Sequence, residues 1–405
     1  MAKDPAVPAE GRAISQTGTA LKFVVLIGLT SLFADMTYEG ARSITGPFLA
    51  YLGASAAVVG LVAGLGEFIG YALRIASGYL ADRTGRYWLI TLWGYGINLI
   101  AVPLLALAGS WPIAALLIFA ERFGKAIRTP ARDAMLSHAT TEMGRGWGFA
   151  LHEALDQLGA LTGPLIVAAV LYFKGGYTVS FGILIVPALL ALSVLTTARW
   201  LYPQPRDLEV TRDQAAQAPR PDFPRVFWLY LAFTVVSVAG YAHFQLISYH
   251  FADKSILSSV QIPIFFAIAM GVDALVALIA GRLFDRIGLL TLLAIPLLSL
   301  PIAPLVFSLS YGGALAGMIL WGAVMGIQES IMRAAIAEMI PATKRGTAYG
   351  IFNAAYGLSW FLGSALMGIL YEANLGYLIA FSIALELASL PLLLIVRREV
   401  VRVRE

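Results

Sequence analysis

The sequence has no cysteine, and charged residues make up only 13% of its 405 positions. The absence of cysteine excludes disulfide bonds, thiolate metal sites and cysteine nucleophiles. A soluble domain carries roughly 25% charged residues. Because 59% of this chain is hydrophobic, it has more apolar surface than one water-exposed globule can bury. Both scarcities indicate a protein that lies mostly within a lipid bilayer.

Motifs for catalysis and cofactor binding are also missing. The sequence has no phosphate-binding loop and no HExxH zinc motif, and its four histidines do not have a metal-ligand spacing. We therefore expect no enzyme activity, no cofactor, no metal site and no binding to nucleic acid. The same absences argue against ATP-driven transport by this chain alone.

Long apolar segments recur along the whole sequence. A membrane-spanning helix needs about 20 apolar residues. The sequence predicts twelve such spans, at roughly 21–49, 55–80, 88–109, 112–137, 147–172, 176–199, 225–250, 258–284, 289–309, 312–339, 346–372 and 376–396. The segment between spans six and seven is rich in proline and polar residues, as in a solvated linker. The predicted domains are a tail (1–20), a six-helix bundle (21–199), the linker (200–224), a second six-helix bundle (225–396) and a tail (397–405).

Lysine and arginine are distributed unequally between the two predicted sides of the membrane. One side holds most of them, including those of the linker and the C-terminal tail, whereas the other holds little beyond Lys174 and Lys254. Basic residues accumulate in cytoplasmic loops. We therefore predict a multi-pass protein of the cytoplasmic (inner) membrane with both termini in the cytoplasm. Residues 1–19 lack the apolar core of a signal peptide, so the first apolar segment is expected to remain as a span.

A short motif occurs once in each half of the chain. Residues 78–86 read Gly-Tyr-Leu-Ala-Asp-Arg-Thr-Gly-Arg, and residues 281–288 repeat the order of glycine, acid, base and glycine. Arg-Gly pairs at 145–146 and 345–346 are also equivalent. Two related halves of six spans imply parallel repeats about an axis normal to the membrane. We expect a central cavity between the halves to be the substrate path.

These residues resemble the signature of the major facilitator superfamily, which begins here with Leu-Gly-Ala-Ser at 52–55 and continues through 78–86. The resemblance covers nearly the whole chain. It implies an all-α membrane protein with twelve transmembrane helices in two pseudo-symmetric six-helix bundles, working by alternating access. It also implies that Asp82 lies near the positive N-terminal end of span eleven and closes the cytoplasmic face. The gating residues it implies are Gly78, Asp82, Arg83, Gly85, Arg86, Arg128, Arg132, Asp285 and Arg286.

Two further matches bear on the subtype. Residues 159–164 are similar to the Gly-x-x-x-Gly-Pro motif of drug/proton antiporters, and Arg122 resembles the buried arginine of their fourth helix. The glycine pair that usually follows the motif is absent here. This resemblance implies proton antiport, with Gly159, Gly163 and Pro164 serving helix packing.

Several ionisable residues fall inside the predicted spans, where an unpaired charge is costly and is a functional hypothesis by default. Asp35, Tyr38, Glu39 and Arg42 share one face of span one. A buried carboxyl can load and release a proton as the cavity changes sides. The proton-coupling candidates are Asp35, Glu39 and, opposite Glu39, His243. For each, the competing interpretation is a buried pair that only fixes helix packing.

Span four adds further charges to the same region. Lys125 could pair with Glu121, neutralise Asp35 or bind an anionic substrate. The predicted substrate-cavity residues are Tyr38, Arg42, Glu67, Arg122, Lys125, Asp273, Gln328, Glu329, Asn353 and Tyr356.

These patterns together predict a secondary active transporter of a small organic solute, working as a monomer in the lipid bilayer and coupled to protons. Export by antiport is the expected direction. Proton-coupled uptake of an organic anion or metabolite, with Arg42, Arg122 and Lys125 as its ligands, is the competing hypothesis. Transport of a lipid also fits the sequence, and so does a role as a non-transporting membrane sensor, although the short linker and tails argue against the sensor.

Overall fold

The structure, a computed structural model, describes residues 9–139, 145–204, 223–341 and 344–404. Within these ranges every regular element is a helix. Most of the predicted linker, 205–222, lies outside the described residues.

The first half of the chain forms six spans from seven α-helices. Helix α4 follows a short 3-10 turn at Leu105–Leu107, and α6 and α7 together make one interrupted span. The helices are α1 (Ala9–Tyr51), α2 (Ala56–Thr84), α3 (Tyr87–Leu104), α4 (Trp111–Ala139), α5 (Arg145–Tyr172), α6 (Gly176–Ile183) and α7 (Ile185–Leu201).

The second half contains more interrupted helices. Its ninth predicted span is a row of short pieces, because Pro296, Pro301 and Pro304 interrupt the helical hydrogen bonding. The row begins with a 3-10 segment at Gly288–Leu293. The helices are α8 (Arg225–Gly240), α9 (Phe244–Asp253), α10 (Gln261–Ile287), α11 (Ala294–Ser299), α12 (Ile302–Val306), α13 (Tyr311–Met339), α14 (Arg345–Ala373) and α15 (Leu375–Arg404).

Each of the twelve predicted spans coincides with one of these helices or with an interrupted row of them. Ten stretches of the described helices are long and apolar enough to cross a membrane. One of these, Gln261–Val306, contains two predicted spans. Helix α4 is not among the ten because ionisable residues interrupt its apolar sequence. The predicted class, an all-α membrane protein, is confirmed.

The repeated motif has the same local role in both halves. Helix α2 ends at Gly85, whose φ is 66°, and α10 ends at Gly288, whose φ is 59°. Residues with a side chain rarely adopt this left-handed conformation, so glycine is the natural helix stop. Each copy therefore ends a span and leaves its acid and base at the membrane boundary.

Each half has its own apolar core. Phe23, Tyr95 and Phe181 belong to the core of the first half, whereas Phe227 and Trp321 belong to that of the second. The boundary between these cores is the boundary between the two bundles. We name the side where α1 ends and α2 begins the outer face, and the side where α2 ends and α3 begins the inner face.

The halves meet mainly where α2 packs against α14. A Cβ added at Gly64 would lie 2.8 Å from Phe361 Cα, and one at Gly357 would lie 2.8 Å from Tyr71 Cβ. Neither distance leaves room for a side chain. Small residues thus allow the backbones of the two halves to approach closely.

Candidate transport site

A buried network of ion pairs joins α1, α2 and α4 at the centre of the molecule. Glu67 Oε1 of α2 lies 3.1 Å from Arg42 Nη2 and 3.1 Å from Arg122 Nη1. Arg42 Nη1 lies 3.3 Å from Glu39 Oε1, and Arg122 Nε lies 3.0 Å from Glu121 Oε2. All five side chains are less than a tenth exposed. Their alternating charges offset the cost of burying each one.

Neighbouring polar groups hold this network in place. The Asn98 amide of α3 donates to Glu121 Oε1 at 2.8 Å. Asn98 was not selected from the sequence, although a fully buried amide in an apolar span was a usable signal. It fixes the end of the network that faces α3.

Lys125 lies at the edge of the network. Its Nζ is 3.9 Å from Glu39 Oε1 and 3.9 Å from the centre of the Tyr38 ring, and its side chain is 20% exposed. The Tyr38 hydroxyl in turn donates to Asp35. Of the pairings considered for Lys125, the one with Glu121 is not formed, because Glu121 pairs with Arg122.

The second half reaches the network through His243. This residue caps the N-terminus of α9, where its ring accepts a hydrogen bond from the Gln245 amide. Its Nε2 lies 3.7 Å from Glu67 Oε1. The expectation that His243 lies opposite Glu39 is therefore corrected: its acidic neighbour is Glu67, which Arg42 connects to Glu39. Glu67 is thus the point where the two halves meet electrostatically.

The other predicted cavity residues of the second half lie on α10, α13 and α14. Asp273 is buried, Glu329 is exposed and Asn353 is half-buried. The Tyr356 hydroxyl donates to Gln328 Oε1 at 2.9 Å. Among the described residues, neither Asp273 nor Glu329 forms an ion pair.

A small pocket adjoins the network. It lies between α1, α3 and α4 of the first half and α9 of the second. Gln245 is the α9 contribution, and its Oε1 has no hydrogen-bond partner in the described part of the chain. Sequence reasoning did not select this glutamine. The lining residues are Tyr38, Ala41, Arg42, Thr45, Val102, Leu105, Ile118, Glu121, Arg122 and Gln245.

The two halves are in contact at the outer face. The Ala57 amide in the first turn of α2 donates to Glu372 Oε1 of α14 at 2.8 Å. Below this bond, a Cβ at Gly368 would lie 3.0 Å from Ala57 Cα. The Glu372 carboxylate therefore caps a helix of the opposite half, where the helix dipole favours negative charge. We call the Glu372–Ala57 hydrogen bond the outer latch.

At the inner face, Asp82 forms no equivalent bond to the other half within the part of the chain that the structure describes. This residue is exposed and accepts a hydrogen bond from the Tyr87 hydroxyl of its own half at 3.0 Å. In the described ranges, neither Arg128 nor Arg132 contacts it. The Arg128 guanidinium lies 4.1 Å from the centre of the Tyr95 ring, and Arg132 pairs with Asp133 at 2.8 Å. The gating roles stay predictions.

The remaining motif residues at the inner face are also solvent-facing. Arg83 Nη1 donates to the Tyr79 hydroxyl at 3.3 Å, and Arg86, Asp285 and Arg286 are exposed. Gly78 faces α4, where an added Cβ would lie 3.4 Å from Pro130 Cβ.

The exposure of Glu329 shows which face is open. Its side chain is exposed, yet it interacts electrostatically with Lys125 and Arg42 of the other half. An exposed side chain that faces the partner half must lie in an open cavity. Because the outer face is closed by the latch and by helix contacts, this cavity opens toward the inner face.

The glycines of the predicted packing motif lie against α1. A Cβ at Gly159 would lie 2.9 Å from Asp35 Cβ, and one at Gly163 would lie 2.9 Å from the Gly40 nitrogen. Pro164 follows within the same helix. The backbone of α5 thus passes directly beside Asp35.

A second polar group that the sequence analysis did not select lies toward the inner face. Ser31 Oγ is 2.8 Å from His152 Nε2 and accepts a hydrogen bond from Arg132 Nη1 at 3.1 Å. The burial of His152 inside a span was a usable signal. No three His, Asp or Glu side chains of the described chain are grouped so as to hold a metal ion.

Comparison with known proteins agrees with this architecture. The family model described as Major Facilitator Superfamily matches residues 27–364. An uncharacterized protein of Mycobacterium tuberculosis is 43% identical over 384 residues, 94% of each chain. An uncharacterized MFS-type transporter of Methanocaldococcus jannaschii is 28% identical over 364 residues, 87% of this chain and 89% of its own.

Solved structures share the fold at low sequence identity. The nucleoside transporter NupG superimposes with a TM-score of 0.73 at 13% identity, covering 91% of this chain and 99% of its own. The peptide transporter POT superimposes with a TM-score of 0.74 at 15% identity, covering 94% of both. These likenesses establish the fold and leave the substrate open. With the family match over most of its length, this multi-pass membrane protein belongs to the Major Facilitator Superfamily of transporters.

Proposed function

We propose that this transporter is a proton-coupled exporter of a small organic solute that is cationic or neutral. The observation that carries the proposal is an imbalance of unpaired charge around the central cavity. Its basic groups are largely paired with carboxylates, whereas three of its carboxyls form no ion pair among the described residues.

The paired charges belong to the first half. Glu39, Glu67 and Glu121 face Arg42, Arg122 and Lys125, so the six formal charges of the network sum to zero. An anionic solute would have to displace a carboxylate from these arginines. The network is therefore a poor anion site, and it is better suited to holding the helices around the cavity.

Two of the carboxyls without an ion pair, Asp273 and Glu329, face the first half, and the third, Asp35, lies within the first half beside Gly159. Asp35, Asp273 and Glu329 form no ion pair among the described residues. Asp273 has the acids Glu329, Glu153 and Glu39 around it, whereas Glu329 faces the bases Arg333, Lys125 and Arg42 as well as Glu39. Carboxyls in such surroundings bind either a proton or a cationic group.

Competition between the solute and protons for these carboxyls would couple the transport of one to the transport of the other. In the inward-open conformation seen here, a solute from the inner side can reach Glu329 and displace a proton. After the halves rock to the outward-open conformation, protons from the other side can displace the solute. Because solute and proton compete for the same groups, one leaves as the other binds, which is antiport.

Proton release on binding tests the proposal without a membrane. Purified protein in weakly buffered detergent solution receives tetraphenylphosphonium, a lipophilic cation, while a pH indicator dye reports free protons. We expect release from the wild-type protein and reduced release from Asp35→Asn. Asp253→Asn serves as the matched control, because Asp253 is paired with Lys254 at the outer face. Release that is equal in all three proteins would refute Asp35 as the proton site.

Uptake of an organic anion is the second candidate, and Lys125 is the observation that favours it. Its contact with Glu39 is the longest of the network, and its side chain is partly exposed. Arg128, one turn further along α4, has no acidic partner among the described residues. A carboxylate solute could bind between these two cations, and a preference for benzoate over tetraphenylphosphonium would support this candidate.

A further inference from the structure

A buried carboxyl that the transport site does not use lies in the second half. Glu386 is fully buried near the middle of the apolar part of α15. Ser237 Oγ of α8 donates to its Oε2 at 3.1 Å. Its Oε1 has no hydrogen-bond partner within the described residues, and neither has the buried Ser299 hydroxyl of α11. One oxygen of this carboxyl therefore has lone pairs that accept no hydrogen bond from the described residues, in a place that water does not reach.

Among the described residues, no basic side chain compensates this carboxyl. The groups that act on it are the hydroxyls of Ser237 and Ser299, and no charged residue is among them. An ionised carboxylate without a counter-charge is expensive at this depth. A cation bound beside Glu386 would remove that cost.

The surroundings of Glu386 are rich in oxygen atoms. Helix α8 ends at Gly240, and three residues separate it from the start of α9. The Ser382 hydroxyl of α15 donates to the Gly240 carbonyl at 2.6 Å. A Cβ at Gly240 would lie only 3.2 Å from Glu386 Oε1, so this carbonyl end of α8 lies close to the carboxyl. Interrupted helices expose carbonyl oxygens that coordinate ions near the membrane midplane in other transporter folds.

We propose that Glu386, Ser237 and Ser299 form a binding site for one sodium ion, with Ser382 and the Gly240 carbonyl beside it. Oxygen donors suit a hard cation. One carboxylate balances one positive charge, which favours a monovalent ion over Ca²⁺ or Mg²⁺. Full burial and close helix packing favour the small Na⁺ over K⁺ or an organic cation.

The position of the site links it to the central network. The helix break that follows Gly240 ends at His243, whose imidazole lies beside Glu67. An ion that holds α8, α11 and α15 together would fix this break and hence the position of His243. The site thus goes beyond proton coupling and is independent of it, so either proposal can fail alone.

Thermal stability in different salts tests the site. Purified protein is melted in NaCl, KCl and choline chloride at equal ionic strength. We expect a saturable rise in melting temperature with Na⁺ alone, since a ligand of the folded state stabilises it. Glu386→Gln is expected to abolish the rise. Ser389→Ala is the matched control on the same helix and should keep it, because the Ser389 hydroxyl binds the Glu386 main-chain oxygen.

A second measurement does not depend on a variant that folds. Wild-type protein is expected to bind radioactive sodium and to release it on addition of unlabelled Na⁺ but not K⁺. The proposal is overturned if no sodium binds, or if Glu386→Gln keeps the full Na⁺ response. A melting temperature that follows pH and is the same in all three salts would also overturn it, and would make Glu386 a proton site.

Discussion

At the scale of single residues, Glu67 is the acid that three ionisable side chains of the described chain share. One of its oxygens lies within 3.7 Å of Arg42, Arg122 and His243. It thus connects three helices of the first half's network to the second half. Sequence reasoning chose Glu67 for its depth in span two, but pairing across three helices is a tertiary property that spacing along one helix cannot show.

Removing the Glu67 charge is expected to destabilise the protein. In Glu67→Gln, Arg42 and Arg122 each lose one acidic partner in a buried setting, a change that costs about 3–5 kcal/mol when a charge is left uncompensated. Glu153→Gln on α5 is the control, because Glu153 is exposed and has no ion pair among the described residues. Thermal melts in detergent measure the effect. Equal melting temperatures for the two variants would contradict the central role of Glu67.

Replacement of Lys125 distinguishes the two candidate substrate classes, a cationic or neutral solute and an organic anion. Lys125→Met removes the partly exposed cation but leaves Glu39 paired with Arg42. If the solute is cationic or neutral, its affinity should change less than about twofold, whereas an anion bound to an ammonium group should lose roughly tenfold or more. Binding titrations with tetraphenylphosphonium and benzoate give the answer. A selective loss of benzoate binding would replace export by anion uptake.

At the scale of helices, the two ends of α2 take part in the outer latch and in the predicted inner gate. The Ala57 N–H at its N-terminus donates to Glu372 of α14 in the outer latch, and its C-terminal end carries Asp82 at the inner face. Asp82 was found from the repeated motif. Glu372 was not, because nothing in the sequence around it indicates that it caps a helix of the other half.

The two gate residues are predicted to act in opposite directions on one reporter. Because the chain has no cysteine, Thr45→Cys gives a single thiol in the lining of the cavity, toward the outer face. Glu372→Gln weakens the latch, whose loss costs about 0.5–2 kcal/mol, so this thiol should react faster with a membrane-impermeant reagent from outside. Asp82→Asn weakens the predicted inner gate and should slow the same reaction.

Each gate variant controls for the other, since both replace a carboxylate by its amide at an end of α2 or beside it. Labelling rates that rise in both variants would indicate general loosening of the protein. Rates that stay unchanged in both would remove the gating assignment from Glu372 and Asp82 alike.

The helix breaks show which features of the secondary structure could be predicted from the sequence and which could not. The glycine that stops α2 and the prolines in the ninth span are visible as residues, because each changes the backbone locally. The break between α8 and α9 is marked less clearly, since Gly240 precedes it without a positive φ and the break itself occurs at Tyr241, Ala242 and His243. It is held by tertiary contacts: Tyr241 donates to the Trp321 carbonyl, and Trp321 donates to the Ala242 carbonyl.

At the scale of the whole molecule, the repeat of two halves accounts for most of what could be predicted. The motif at 78–86 and its copy at 281–288 indicated two related bundles, and apolar length indicated the spans. Most of the charges that form the central network were selected from the sequence, because an ionisable residue in a span is rare; their role in transport stays a prediction. Their partners could not be assigned, since His243 and Glu67 meet only when the halves pack. Glu386 was overlooked among the mid-span acids.

The structure also records one state of a cycle that the sequence describes only in outline. The outer latch is formed, Asp82 is bound within its own half and Glu329 is exposed.

Proton flux in inverted membrane vesicles tests the proposed exporter most directly. The vesicles are energised so that their lumen becomes acidic, and a pH-sensitive dye reports the pH of the lumen. One test compound is then added at a time: tetraphenylphosphonium, a neutral organic compound or benzoate. The account predicts proton release from the lumen on addition of the cation or the neutral compound, and loss of that release in Asp35→Asn. A response to benzoate alone, or release that Asp35→Asn leaves unchanged, would contradict it.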